Sequence, residues 1–415
     1  MICRGTAIPQ ANTKGPAQQR QAGRRQVLSV IRQAGQIARI DIAARTGGSP
    51  ATVTAITAEL LQEGLIEEHV PSRPAASSSR GRPRVALKIR GAAHIVAGIK
   101  VAAHSATLCF LDFEGNSRGS FEKPLPRPVL RGEEMVAFLR DTLEQGCAAT
   151  GHRPEELSAL GLGVAGIVDA GRGLVYWSPI LAERNVELAR MLAPALPMPI
   201  FIDNDANLVA KAEHLFGLGR DVDDFIVITV EQGVGMGIVL DGRIYRGSRG
   251  CGAEFGHTKV QLEGALCRCG QRGCLEAYVA DYALLREAAI LGLAPASSAP
   301  ADQLNSLFQA AQQGNETARS IFQRASRMFA LGLANVINIF DPSLIILSGE
   351  RMQFDYFYTD EVKEAIKANV LQIDAPLPEI QVHKWGDLMW AKGAGAFAME
   401  GISDIAVREM GRNAQ

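Results

Sequence analysis

The sequence predicts a small helical head with an appended β-hairpin, followed by a larger α/β body, and three observations predict it. Residues 27–65 carry three short helix patterns in succession, and residues 70–89 read as two β-prone arms around a Pro/Ser/Arg-rich tip. From His94 onward strands alternate with helices, and one arrangement of strand, turn, strand and turn occurs twice.

Residues 1–20 are rich in Gln, Ala and Gly without apolar periodicity, the composition of a disordered tail. VLSVIRQ (27–33) has helical spacing, RIDIAARTG (39–47) is a second short helix, and PATVTAITAELLQEGL (50–65) a third, with Ser49 as its N-cap. A Gly-containing turn joins the last two, the pattern of a helix-turn-helix. The hairpin over VPSRPAASSSRGRPRVALKI (70–89) makes it a winged version; the plainer alternative is a helical subdomain with a linker over 71–84.

In the body, HIVAGIKVAAHSATLCFLDFEGNS (94–117) reads as two strands with hairpin chemistry at DFEGN. A helix over 132–149, a strand over 157–169, a helix over 185–193 and a strand over 199–207 follow. DFIVITVEQGVGMGIVLDGRIYRG (224–247) then repeats the arrangement of 94–117, which implies a duplicated α/β unit. A helix-rich stretch (275–340), a strand over 343–349 and helices over 360–369 and 387–401 complete the chain.

At 415 residues, two or three domains are expected. The net charge of −1 conceals an asymmetry: residues 1–90 hold 14 Lys+Arg against 5 Asp+Glu, the remainder 29 against 39. A basic head on an acidic body suggests a nucleic-acid module. No stretch approaches the roughly 20 apolar residues of a membrane span, and the first 20 residues lack the apolar core of a signal peptide, so a membrane partner is excluded and the cytoplasm is expected. Of seven cysteines, Cys267, Cys269 and Cys274 crowd into eight positions while Cys3, Cys109, Cys147 and Cys251 are dispersed, which suits a metal site better than a disulfide framework. With His257 the cluster offers one nitrogen and three sulfurs, a closed tetrahedral set for Zn2+ with no open position for a catalytic water. The alternative is a cluster of free thiols.

EFGHTKVQLEGALCRCGQRGCLE (254–276), GVAGIVD (163–169), DNDAN (203–207), the 224–247 hairpin and DPSLIILSG (341–349) together resemble the ROK family of bacterial sugar kinases and sugar-responsive repressors. The resemblance spans about residues 94–400, and a winged head ahead of it is the arrangement of the repressor branch, the NagC/XylR type. It implies two actin-like, ribonuclease-H-type lobes with a sugar in the cleft. By this reading a tail (1–20) and a DNA-binding domain (21–90) precede lobe 1 (94–203, completed by a helix at about 387–405) and lobe 2 (204–386, with the zinc loop 254–276). By the same matching, Asn204 and Asp205 contact sugar hydroxyls, the Asp being the general base in the kinases, and Glu254, His257 and Glu276 join them. Taken alone, Glu254 and Glu276 would read as solvated charge. GLGVAG (161–166) matches GxGxxG but opens no βαβ unit, so it gives no evidence of a dinucleotide.

The family's kinases open the catalytic domain with DxGGT, whose Asp helps manage magnesium and whose glycines admit phosphate. Here the segment is KVAAH (100–104), with Lys100 in place of the acid, and the second phosphate segment, GTGxGxG in kinases, is EQGVGMG (231–237). Both departures weaken Mg2+ and phosphate binding. The expected function is therefore a DNA-binding repressor, not an enzyme, that binds a sugar or sugar phosphate; the alternative is an ATP-dependent sugar kinase with a DNA-binding head. In the head, Ser49, Ala51, Thr52 and Thr54 open the recognition helix and favour phosphate and thymine-methyl contacts, while Arg80, Arg82 and Arg84 suit a narrow minor groove. The partner expected is an AT-rich, two-fold double-stranded DNA operator bound by a homodimer or higher homo-oligomer.

Overall fold

The computed structural model describes residues 15–69, 85–293, 299–371, 376–384 and 388–412. They form two compact units: residues up to 95 with 112–116 and those from 399 on, and a larger unit of 96–111 and 117–398.

In the smaller unit, α1 (Pro16–Ala34) begins inside the span expected to be a tail. Pro16 opens it, where a missing N–H costs nothing, and the Gln- and Arg-rich residues that follow favour helix without an apolar face to announce it. Val27, Leu28 and Ile31 of α1 are buried, as are Ile42 of α2 (Arg39–Thr46) and Val53, Ile56 and Leu60 of α3 (Pro50–Gln62). Arg24, only 3% exposed, ties α1 to α3 through Glu59 at 2.7 Å. Strands β1 (Ile37–Ala38), β2 (Ile66–His69) and β3 (Ala86–Ile89) form an antiparallel sheet in the order β1-β3-β2. The second arm of the expected wing is thus strand β3, and its partner β2 ends just before the expected first arm; residues 70–84, with Arg80, Arg82 and Arg84, lie outside the described residues.

This unit is not the linear segment 21–90. The Arg32 guanidinium lies 4.6 Å over the Phe113 ring and donates to Ser403 Oγ at 3.4 Å, and Arg25 pairs with Asp404 at 2.6 Å. Burial holds the Arg32 pKa down at about 10, with Glu400 acting in the opposite sense.

The larger unit opens with β4 (Ile95–Val101), β5 (Ser105–Asp112), β6 (Ser117–Pro124) and α4 (Gly132–Thr150). β7 (Leu157–Val164), the two-stranded β8 (Ile167–Asp169) and β9 (Leu174–Trp177), α5 (Leu188–Leu192), β10 (Ile200–Asn204) and α6 (Asp205–Phe216) follow. Next come β11 (Phe225–Val230), β12 (Val234–Leu240), β13 (Arg243–Tyr245), α7 (Glu276–Val279), α8 (Asp281–Ile290), α9 (Pro300–Gln312) and α10 (Glu316–Phe340). β14 (Leu344–Ser348), α11 (Asp360–Asn369), β15 (Glu379–Val382) and α12 (Met389–Arg412) end the chain's described elements.

The first large sheet runs β10-β7-β4-β5-β6 and the second β13-β12-β11-β14-β15. In each, the strands lie in the rank order fifth, fourth, first, second, third or its reverse, so the repeat legible at 94–117 and 224–247 extends to whole sheets of ribonuclease-H type. The expected strand over 157–169 is broken at Ala165–Gly166: Gly166 has φ +119, and a Cβ there would come within 2.2 Å of the Trp177 carbonyl oxygen. DNDAN straddles an element boundary, with α6 starting at Asp205, and α12 runs beyond 401 to Arg412. A Cβ at Gly161 would meet the Ala394 carbonyl at 1.8 Å, so β7 and α12 pack backbone to backbone. Among the described residues no helix is long and apolar enough to cross a membrane.

Candidate functional site

A cavity of about 640 Å³ opens in the larger unit, a volume suited to a small polar ligand. Its wall brings together all five residues expected to bind sugar, Asn204, Asp205, Glu254, His257 and Glu276, which are up to 72 positions apart in sequence. Asn204 caps α6 by accepting from the Ala206 N–H at 2.8 Å, while its amide donates to the Gly166 carbonyl at 2.6 Å. The broken strand therefore serves the site, since its Gly166 turn fixes the Asn204 side chain.

Asp203 is fully buried, and Nε and Nη2 of Arg246 reach its Oδ2 at 2.8 and 2.6 Å. It also accepts from the Asn204 N–H and the Asn207 amide. A buried carboxylate with this many donors is satisfied, and it anchors the DNDAN turn to the segment that follows β13. That segment leads to Ala253, a non-glycine residue at φ +68, next to Glu254. Such a conformation costs about 1–3 kcal/mol, and here it adjoins a cavity-lining carboxylate. The surrounding protein raises the Glu254 pKa above its ordinary value; His257 opposes the shift, and the charges of Asp205 and Glu276 add to it.

His257, Cys267, Cys269 and Cys274 bring their ligand atoms within 4.8 Å of one another. His257 Nδ1 is 3.7 Å from Cys267 Sγ, and the Cys269 and Cys274 sulfurs are 3.7 Å apart. Sulfurs at about 2.3 Å from a tetrahedral metal stand about 3.8 Å from each other, so the spacing fits a zinc ion. Burial alone would push the Cys267 thiol up, but hydrogen bonding with His257, the Cys269 N–H and the Tyr282 hydroxyl brings it down to about 7. Cys269, by contrast, is pushed up to about 11, first by burial, so a cation is needed for all three to ionise together. Lys259 donates to Cys274 Sγ at 2.8 Å, and the Cys267 thiol donates to Glu276 at 3.6 Å. The cluster is joined in this way to the cavity through His257 and Glu276.

Lys100 was legible as a departure from the kinase pattern, but its partners were not. Its Nζ lies 3.9 Å from Asp205, 3.6 Å from Glu231 and 4.1 Å from the centre of the Trp390 ring, and the side chain is only 11% exposed. Trp390 and Arg246 carried no signal in the sequence, and Asp203 was legible only as part of DNDAN, without its partner.

In the head, Ser49 accepts from the Thr52 N–H at 3.1 Å, as an N-cap should. Ser49, Ala51, Thr52 and Thr54 are all exposed, and no acidic residue occupies the first turn of α3. The Thr54 hydroxyl donates to the Pro50 carbonyl at 2.7 Å, which leaves it an acceptor lone pair and a methyl group for a partner.

A family profile described as ROK family matches residues 96–400, and one described as winged helix-turn-helix DNA-binding matches residues 24–67. The N-acetylglucosamine repressor of Escherichia coli O6:H1 is 29% identical over 379 residues, 90% of this chain and 90% of that protein. The crystal structure of a ROK family transcriptional regulator, a homologue of the E. coli MLC protein, superposes with a TM-score of 0.78 at 25% identity, covering 95% of this chain and 99% of the other. A ROK glucokinase from Streptomyces griseus, solved with glucose and AMPPNP, gives 0.62 at 28% identity over 73% of this chain and 99% of the other.

Proposed function

The chain belongs to the ROK family, and from that premise we propose that it is a sugar-responsive, DNA-binding repressor whose cleft holds a sugar without phosphorylating it. The observation that carries the non-catalytic part is Lys100. An ammonium group shared by Asp205 and Glu231 stands where a kinase of the resemblance would manage magnesium and phosphate. At 3.6 and 3.9 Å these contacts are ion pairs rather than hydrogen bonds, so Asp205 keeps lone pairs for sugar hydroxyls. Purified protein with ATP, Mg2+ and a panel of hexoses and amino sugars is expected to give no turnover. Phosphorylation clearly above that of an Asp205→Ala variant would overturn this reading.

A hydroxyl binds well where each of its two roles is met, and the cavity offers both kinds of partner. Asp205, Glu254 and Glu276 accept, while the Asn204 amide gives one N–H to the Gly166 carbonyl and has a second to donate, so the two kinds of partner together orient the ring hydroxyls. Zinc is the metal we assign to His257, Cys267, Cys269 and Cys274. Bound there it supplies a structural crosslink, and with His257 Nδ1 turned to Cys267, Nε2 is the ring nitrogen left for the sugar.

The head acts on DNA through the exposed first turn of α3, whose partial positive charge has no acidic neighbour in that turn. One such turn contacts little DNA, so we propose a homodimer on a two-fold, AT-rich site, with Arg80, Arg82 and Arg84 in a minor groove. Changing Arg82 and Arg84 to Ala is expected to lower operator affinity and to reduce the slope of log K against log salt by about one to two. A slope identical to wild type in a gel-shift titration would take the wing out of the interface.

A further inference from the structure

The cleft carries a charge balance that bears on the chemical form of its ligand. Lining it among the described residues are five carboxylates, Glu122 in addition to Asp205, Glu231, Glu254 and Glu276, against one lysine and one arginine, Lys100 and Arg268. Arg268 is exposed and lies with its guanidinium 4.1 Å from the centre of the Tyr282 ring. Among the described residues Lys100 is the one lysine or arginine held deep in the wall, and its surroundings are already filled: Asp205, Glu231 and the face of Trp390 surround Nζ within 4.1 Å.

A phosphate group needs donors that are not committed elsewhere. To engage Lys100 it would have to displace two carboxylates, leaving both beside a new dianion in a protein-lined recess. The other natural anion site, the N-terminus of α6, is closed from within. Asn204 Oδ1 and Asp205 Oδ1 both accept from the Ala206 N–H, at 2.8 and 2.9 Å. A carboxylate at that position repels an incoming anion where a bare helix terminus would attract it.

We propose that the effector is an unphosphorylated sugar, and that the Lys100–Glu231 ion pair, by neutralising the lysine within the wall, is what discriminates against sugar phosphates. This rests on the reading of the cleft as a sugar site. A polyol donates its hydroxyl protons to carboxylates, so an acidic wall suits a neutral sugar, and a cationic amino sugar is tolerated for the same reason.

The test is calorimetric titration of the full chain, at fixed ionic strength, with glucose, mannose and N-acetylglucosamine, each against its own 6-phosphate. The free member of a binding pair is expected to bind at least about tenfold more tightly, the ratio that 1.4 kcal/mol supplies. Equal or tighter binding of the phosphate would overturn the proposal while leaving the sugar site standing. If neither member of any pair bound, the sugar reading itself would fall and this inference with it. Glu231→Gln, which releases Lys100 from one partner, is expected to narrow the gap by strengthening phosphate binding. A folded Glu231→Gln protein with the wild-type ratio would refute the assignment of discrimination to this pair.

Discussion

Removal of zinc by a strong chelator under reducing conditions is expected to destabilise the larger unit and abolish sugar binding together. A metal present at 1,000 times its dissociation constant contributes about 4.1 kcal/mol, and a structural Cys3His site commonly binds more tightly than that. The reason the two losses coincide lies in the connectivity of the cluster. Cys267 and Cys274 are buried at 3% and 0% exposure, and Cys267 hydrogen-bonds Glu276 and Tyr282. His257 and Glu276 both line the cavity, so a loop released from the proposed metal would take two of the proposed sugar partners with it. Elemental analysis of freshly prepared protein should find one zinc per chain, and Cys274→Ser should reproduce the effect of the chelator. Protein that contains no zinc, or whose melting temperature is the same before and after chelation, would show that the cluster is only a set of neighbouring thiols.

Asp205→Ala and Glu254→Ala are each expected to leave operator binding without sugar close to wild type while abolishing the response to sugar. Coupling between two sites is typically worth about 1–3 kcal/mol, or 5- to 150-fold in affinity, and it is reciprocal: operator DNA must shift sugar affinity by the same factor. The chain itself supplies the routes. It passes between the two units at 95/96, around 112–116 and again at 398/399. The last passage lies within α12, which carries Trp390 of the cavity wall near one end and Asp404, the partner of Arg25, further on. Measuring operator affinity with and without a sugar shown to bind, in wild type and both variants, decides the matter. An operator affinity indifferent to every bound sugar would leave the repressor without a switch.

Much of this site could be read from the sequence because its motifs are local. CRCGQRGC and EFGH bring the four residues of the His/Cys cluster together within 18 positions, and DNDAN supplies Asn204 and Asp205 side by side. Pairings across long separations could not be read. Lys100 and Glu231 were each legible as a loss of phosphate-binding chemistry, yet as separate losses; in space they are one ion pair, a positive residue for a negative one in the first segment answered by a negative residue in the second. Asp203 lay inside a recognised motif, but its partner Arg246 is 43 positions away and looks like any surface arginine. The first turns of α1 were missed because they are polar, and the strand at 157–169 was read as continuous because the apolar residues run on through a turn that only Gly166 can make. The end of α12 was missed for a different reason. Ile402, Val407 and Met410 are buried at a wide spacing that carries weak helical periodicity.

The split make-up of the smaller unit sets a schedule for biosynthesis. Residues 15–95 leave the ribosome first, but Ser403 and Asp404, which meet Arg32 and Arg25 of α1, leave it only after the whole body has been translated. Until then α1 lacks those two contacts, although Glu59 of α3 is already there for Arg24 and the Phe113 ring follows early for Arg32. A nascent chain that has not reached Asp404 lacks these two contacts, and they arrive in the same stretch of translation that delivers Trp390 and the Ala394 backbone packed on Gly161. The contacts of α1 with Ser403 and Asp404 and the Trp390 part of the cavity wall are in this way supplied by one and the same helix, α12.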